Sequence, residues 1–262
     1  MATEVSAMPS CLALPREGHL EQLFHIFSYL KNNHNSEMVF GPTIPDIDFD
    51  QFPKKGWAGA PCSKGDGAGL KEEKPPNAPR ARGAGFIARM LVDSDHAGDK
   101  VTRRSRTGFL VYCNNALIYW HSKKQASIEA SSFGSELMAM KRGAEHARGL
   151  RYKLRMMGIP AELPAFAYAG SKPAIASSSV PEPTLKKKSN SIAYNFVREG
   201  CAADEWRITY ISASSNPSGL VAKCLAPGEK REKFVGMLVC YVSSVVTKNV
   251  VRWKETIAQY WG

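Results

Sequence analysis

The sequence predicts an α/β protein: a mixed five-stranded sheet flanked by helices, preceded by a short helical segment and a linker. Three observations carry that prediction. An apolar run, Phe86-Ile-Ala-Arg-Met-Leu-Val, ends in acid at Asp93-Ser-Asp95. Two β-rich runs, Thr107 to Cys113 and Ala116 to His121, are joined by Asn114-Asn115, and Asn tolerates the positive φ of a tight hairpin turn. Beyond a basic loop, Phe133, Leu137, Met140, Ala144, Ala147 and Leu154 recur at helical spacing. They define the buried face of a long helix over 132–157, opened by the hydroxyls of Ser131 and Ser132 as N-cap candidates.

Taken in order, residues 1–40 carry one amphipathic packing helix, on Leu20, Leu23, Phe24, Phe27, Tyr29 and Leu30. Residues 41–85 are rich in Pro, Gly and charge and keep no period, as in a linker, with Phe52 and Trp57 able to dock on a neighbouring surface. Lys64-Gly-Asp-Gly67 lacks the flanking strand, helix and Lys-Ser/Thr that a phosphate loop needs. The sheet-bearing domain is placed at 86–240, with strands near 86–93, 107–113 and 116–122. A short strand follows at Ala165 to Tyr168, then a small-residue segment from Gly170 expected to be a frayed helix. A helix entered by Lys186-Lys187-Lys188 runs to Glu199, Trp206 to Ile211 alternates as a strand, and a closing helix begins near Pro227. No role is assigned to 241–262.

With 44% hydrophobic residues the chain of 262 can bury a core, so wholesale disorder is excluded. A net charge of +11 suits an anionic partner such as nucleic acid. The cysteines at 11, 62, 113, 201, 224 and 240 form no close pair, which favours reduced thiols in an intracellular compartment, cytoplasmic or nuclear, over disulfides or zinc. The N-terminus lacks the basic flank and apolar core of a signal peptide. The longest apolar run, Phe234 to Val246, is interrupted by Gly236 and serines and is too short to span a bilayer, so no membrane partner is expected.

Asp93 falls where the first sheet strand should end, and Glu136 borders the buried face of the long helix in its first turns. A strand-end Asp and a first-turn Glu can meet at one rim of a sheet. There they either pair with neighbouring Arg and Lys or share a divalent metal. Spacing leaves both readings open.

The blocks V-D-S-D-H-A-G-D, R-R-S-R-T-G-F, I-Y-W-H-S-K-K-Q, S-S-F-G-S-E-L-M-A-M and L-R-Y-K-L-R-M-M-G follow one another in order over about seventy residues. Together they resemble the ribonuclease H domain of copia-type retrotransposon polyproteins, and the first helix resembles the tail of the reverse transcriptase that precedes it. The resemblance implies a ribonuclease H-like fold and an endoribonuclease that hydrolyses RNA in RNA–DNA hybrids with Mg2+ (or Mn2+). Asp93 and Glu136 would be two of four carboxylates holding two metal ions. The family's Gly-Asp-Asn appears here as Ala169-Gly170-Ser171, and its Asn-Pro-Ala-Asp-Leu as Asn216-Pro217-Ser218-Gly219-Leu220. Gly170 and Gly219 thus stand at degenerate catalytic positions. Gly170, Ser171, Gly219 and Ala222 all fit single A-to-G transitions from the family's residues, as in a degenerate copy. Asp95 and Asp99 are expected to point elsewhere.

The clusters Arg103, Arg104 and Arg106, and Lys123 and Lys124, flank the hairpin on the side of the acidic rim, where they suit the phosphates of a hybrid duplex. The functional expectation is a ribonuclease H-like domain with impaired catalysis. The alternatives are an active Mg-dependent enzyme using other carboxylates and a non-catalytic nucleic-acid-binding module.

Overall fold

The computed structural model describes residues 1–57, 70–181 and 190–241. The lysine run at 186–188, the rejected phosphate loop and all but the first residue of the unassigned tail lie outside the described residues. In chain order the main elements are α1 (Ala2–Ala7), α2 (Glu17–Asn32), β1 (Ser36–Glu37), β2 (Ala88–Asp95), β3 (Arg106–Cys113), β4 (Ala116–Lys124) and α3 (Ser132–Met156). They continue with β5 (Ala165–Ala169), α4 (Lys172–Ser179), α5 (Ser191–Ala202), β6 (Trp206–Tyr210), α6 (Gly219–Ala222), α7 (Glu229–Leu238) and β7 (Cys240–Tyr241). Five strands form the expected mixed sheet, in the order β4-β3-β2-β5-β6. The β2–β3 and β3–β4 pairs are antiparallel, and β2–β5 and β5–β6 are parallel. β2 is the central strand of the five, paired antiparallel on one side and parallel on the other.

The helical period of 132–157 packs as written. Leu137, Met140, Ala144 and Ala147 of α3 join Met90 and Val92 of β2 and Phe109 and Val111 of β3 in the main core. Ser131 caps α3 by accepting from the Gly134 N–H. At the far end of the sheet Trp206 is fully buried, and its indole N–H donates to the Val197 carbonyl at 3.1 Å. Gly200 lets the ring sit against α5, because a Cβ there would lie 1.9 Å from the indole. In the hairpin only Asn114 takes the left-handed backbone, at φ 54°. Its side-chain oxygen accepts the Ile87 N–H at 2.9 Å, which fastens the turn to the start of β2.

Two local expectations are corrected, for α4 and α2, and one is met. The small-residue segment after Gly170 forms a full helix, α4, because both of its ends are held. Ser171 caps the start by accepting from the Ala174 N–H, and the buried Arg198 donates to the carbonyls of Ser177, Val180 and Pro181 at its end. Phe52 and Trp57 are buried, as their expected docking requires, and the stretch at 41–57 forms a strap: Ile47 and Phe52 make a second core with Ile87 and Phe166, and the Phe52 and Phe166 rings meet edge-on at 4.9 Å. Burial of Phe52 contributes roughly 1.5–3 kcal/mol. Conversely, α2 forms but its apolar face is not packed by the described residues, with Leu20, Phe24, Phe27 and Leu30 exposed and only Ile26 buried.

The short helix α6 lies against β3 because Gly108 has no side chain. A Cβ there would come within 2.4 Å of the Ala222 backbone nitrogen. Gly108→Ala should therefore destabilise the protein by roughly 1–3 kcal/mol. Gly149→Ala, in α3 with nothing within 4 Å, should stabilise it by roughly 0.5–1 kcal/mol. Urea midpoints of the two variants should move in opposite directions.

Candidate active site

Asp93 is the sixth residue of β2, buried, and opposite Gly108 of β3. Val92 pairs with Ala169 of β5, so Gly170 falls one step further along, beside Asp93. Glu136, also buried, is in the first turns of α3, and its neighbour Ser135 accepts a hydrogen bond from the Ser94 hydroxyl at 3.1 Å. The β2 end and the α3 start are thereby held together. Gln125 adds a second tie, its amide donating to the Ser135 carbonyl at 2.9 Å and to Thr107 Oγ1 at 3.1 Å.

The segment 216–223 returns to the same point. Asn216 Nδ2 donates to the Val92 carbonyl at 2.9 Å, and Asn216 Oδ1 accepts from the Ser218 N–H and hydroxyl. This pin places Gly219 beside Asp93: a Cβ at 219 would lie 3.4 Å from Asp93 Oδ2. One helical turn on, Lys223 Nζ donates to Asp93 Oδ1 at 2.8 Å, and the Ser94 N–H donates to the same oxygen at 2.9 Å. Sequence reasoning missed Lys223. It is the residue that ends α6, with extended backbone, and only its nearness in sequence to Gly219 hinted at it.

Burial pushes the Glu136 carboxyl up to about 7, and the Asp93 charge adds to the rise, with Lys223 and Ser94 opposing. Glu136 Oε2 is buried with no hydrogen-bond partner among the described residues. Asp95 is corrected: two residues along β2, it shares the face of Asp93, and burial raises its carboxyl, with the Asp93 charge adding and Lys223 opposing. Asp99 does point elsewhere, paired with Lys124, whose hydrogen bond holds its carboxyl far below the usual range.

A pair of magnesium ions demands near-octahedral oxygen ligands and enough negative charge to hold them about 4 Å apart. The residues present do not fit that demand. Asp93 and Glu136 offer two carboxylates, Asp95 does not join them in a three-carboxylate cluster, one oxygen of Asp93 is taken by an ammonium, and positions 170 and 219 offer no side chain. Among the described residues, no group of three or more His, Cys, Asp or Glu side chains is placed to hold a metal ion.

The basic residues split into two sets. Arg103, Arg104 and Lys123 are exposed. Arg106 donates to the hydroxyls of Ser6 at 2.6 Å and Ser122 at 3.3 Å, and Lys124 is held by Asp99. Those two serve mainly to join α1, β3, β4 and the 96–105 loop.

The strand order, the strand directions and a carboxylate at the end of the central strand define a ribonuclease H-like fold. In sequence the chain is distantly similar to plant retrotransposon Pol polyproteins. It is 27% identical over 158 residues to the Retrovirus-related Pol polyprotein from transposon TNT 1-94 of Nicotiana tabacum, covering 59% of this chain and 12% of that protein. It is 38% identical over 63 residues to the Secreted RxLR effector protein 161 of Plasmopara viticola, covering 24% of this chain and 44% of that one. The chain thus spans less than half the length of either relative. Among solved structures, RNase H1 from the halophilic archaeon Halobacterium salinarum aligns with a TM-score of 0.40 at 12% identity, over 52% of this chain and 94% of that one. No family model matches the chain.

Glu136 has a folded-state pKa near 7, above its ordinary 4.5, so the fold binds more protons than the unfolded chain between those values. Its contribution to stability is therefore full below about 4.5 and is lost as pH rises to about 7. Glu136→Gln should gain on the unmodified protein across that window and hold a constant difference above it. Urea unfolding at stepped pH measures this, and parallel curves would refute it.

Proposed function

We propose that this chain is a ribonuclease H-like domain of a copia-type retrotransposon polyprotein whose cleavage of RNA–DNA hybrids is impaired while its hold on the hybrid's phosphates remains. The observation that carries this reading is the Lys223–Asp93 pair at 2.8 Å, beside two glycines where further carboxylates would be needed. A two-metal hydrolase uses one ion to activate water and the other to stabilise the leaving oxygen. Here the rim's negative charge is instead balanced by an ammonium, which supplies neither function. The exposed Arg103, Arg104 and Lys123 support phosphate binding, a contact that needs charge and no metal.

The unmodified protein should cleave hybrid RNA at background rate in Mg2+ and in Mn2+. The backbone at both glycines accepts a side chain, with nothing within 4 Å at Gly170 and only ordinary contacts at Gly219. Gly170→Asp with Gly219→Asp should add magnesium affinity and metal-dependent cleavage, both lost on Asp93→Asn, and Gly170→Asp should matter more. Strong cleavage by the unmodified protein would overturn the reading.

Hybrid binding should be weak, independent of sequence and steeply weakened by salt. Neutralising Arg103, Arg104 and Lys123 together should lower the slope of log affinity against log salt by roughly 2–3. Arg106→Gln and Lys124→Gln should instead act chiefly on stability, read by thermal unfolding, because both side chains are committed to internal partners. A salt slope unmoved by the triple change would exclude the hairpin patch.

A further inference from the structure

The described residues leave one apolar stripe of α2 bare. On the inward side Ile26 is buried, Leu23 and Tyr29 are half-buried, and Arg231 of α7 stands over the Tyr29 ring, 5.9 Å from its centroid. Leu20, Phe24 and Phe27 follow one another at i, i+4 and i+7 on another side, 53%, 60% and 58% exposed, and Leu30 continues them. Two phenyl rings and two leucines in a row form a patch that a docked partner ordinarily removes from water. The stripe alone does not name that partner. The strand pairing beyond the end of α2 does.

β1 leaves directly from the turn that closes α2. The Asn33 N–H donates to the carbonyls of Tyr29 and Leu30 at 3.0 and 3.3 Å, and the Ser36 N–H donates to the Asn33 carbonyl at 3.2 Å. β7 pairs with β1 in the antiparallel sense, Cys240 opposite Glu37 and Tyr241 opposite Ser36. Tyr241 therefore lies at the α2 end of this ladder, and the chain leaves it heading toward the C-terminal end of α2. The 16 residues of α2 extend about 24 Å. Residues 242–262 can cover that length even at the rise of a helix, about 30 Å.

The sequence of that segment matches the bare stripe. Val246, Val250, Trp253, Ile257 and Trp261 recur at i, i+4, i+7, i+11 and i+15, the spacing of one apolar helix face. The charges are complementary as well. Lys248, Arg252 and Lys254 stand against one acid, Glu255, whereas α2 has Glu17 and Glu21 against Lys31. We infer that residues 242–262 are the occupant of the bare face, lying antiparallel to α2 with their apolar positions on Leu20, Phe24, Phe27 and Leu30. The antiparallel direction follows from entry at the C-terminal end of α2. The segment then acts as a built-in cap that keeps the face from other partners, a second copy of the chain included. The inference is independent of the hybrid-binding reading, because it uses no residue of the acidic rim or the hairpin patch.

The test follows hydrogen exchange of the α2 amides in the full chain, with sedimentation velocity over a concentration series to report the oligomeric state. The variants are Trp253→Ser with Ile257→Ser, the milder Trp253→Ala, and Lys248→Gln with Glu255→Gln as a control on the opposite side of the apolar pattern. Trp253→Ser with Ile257→Ser should speed α2 exchange by roughly tenfold or more while the amides of β2, β3 and α3 stay as they were. The control should change neither. Trp253→Ala should act in the same direction, and it decides the matter if the double change disturbs the sheet. A synthetic peptide of residues 242–262 should restore α2 protection to the double variant, and should fail to do so once Phe24→Ser and Phe27→Ser are added. Exchange in α2 that no tail variant alters would overturn the inference. So would peptide binding that survives Phe24→Ser with Phe27→Ser. An unmodified protein that dimerises, and whose α2 loses protection on dilution, would assign the face to a second copy and overturn it as well.

Discussion

A carboxylate buried at the end of the central strand and another buried at the start of the helix above it repel one another and are poorly solvated, so the surrounding structure must supply positive charge or protonate one of them. Here it does both. Lys223 binds Asp93, and Glu136 is pushed toward its neutral form. The rest of the rim is arranged so that this lysine arrives. Asn216 pins the incoming loop to the Val92 carbonyl, and Gly108 lacks the side chain that would hold α6 away from β3. Lys223 follows at the end of α6, within reach of Asp93.

This arrangement separates two properties that an active two-metal site would combine. The fold gathers four positions on one rim: the Asp93 charge reaches Glu136, Gly219 faces Asp93, and Gly170 stands one step beyond Ala169. Only two of the four carry a carboxylate. A fold of this kind keeps its shape without metal ligands because its stability comes from the core between α3 and the sheet, from the strap anchored by Phe52, and from the Arg151 and Arg155 pairs with Glu72.

Much of this was legible in the sequence. Alternation and the paired asparagines located β2, β3 and β4, and the 3.6-residue period located α3 to within a residue or so at each end. Asp93 and Glu136 followed from their positions on those elements. The remainder depended on contacts between distant residues. Lys223 is 130 positions from Asp93. The strap at 41–57 carries no period, so the sequence offered Phe52 and Trp57 as docking side chains without saying where they dock. The helix α4 was misread because its stability comes from Arg198, which caps it from α5. For α2 the period gave the helix correctly but not its surroundings, since an apolar stripe does not specify what covers it.

The central claim is that Lys223, and not a divalent ion, balances the acidic rim. It is tested most directly by titrating the unmodified protein with millimolar Mg2+ and Mn2+ while following its unfolding temperature, beside the variant Lys223→Gln. The account predicts an unfolding temperature that neither ion raises in the unmodified protein, and a variant that is less stable without metal. A metal-dependent rise in the unmodified protein, at the low millimolar concentrations that a two-ion site would need, would contradict it.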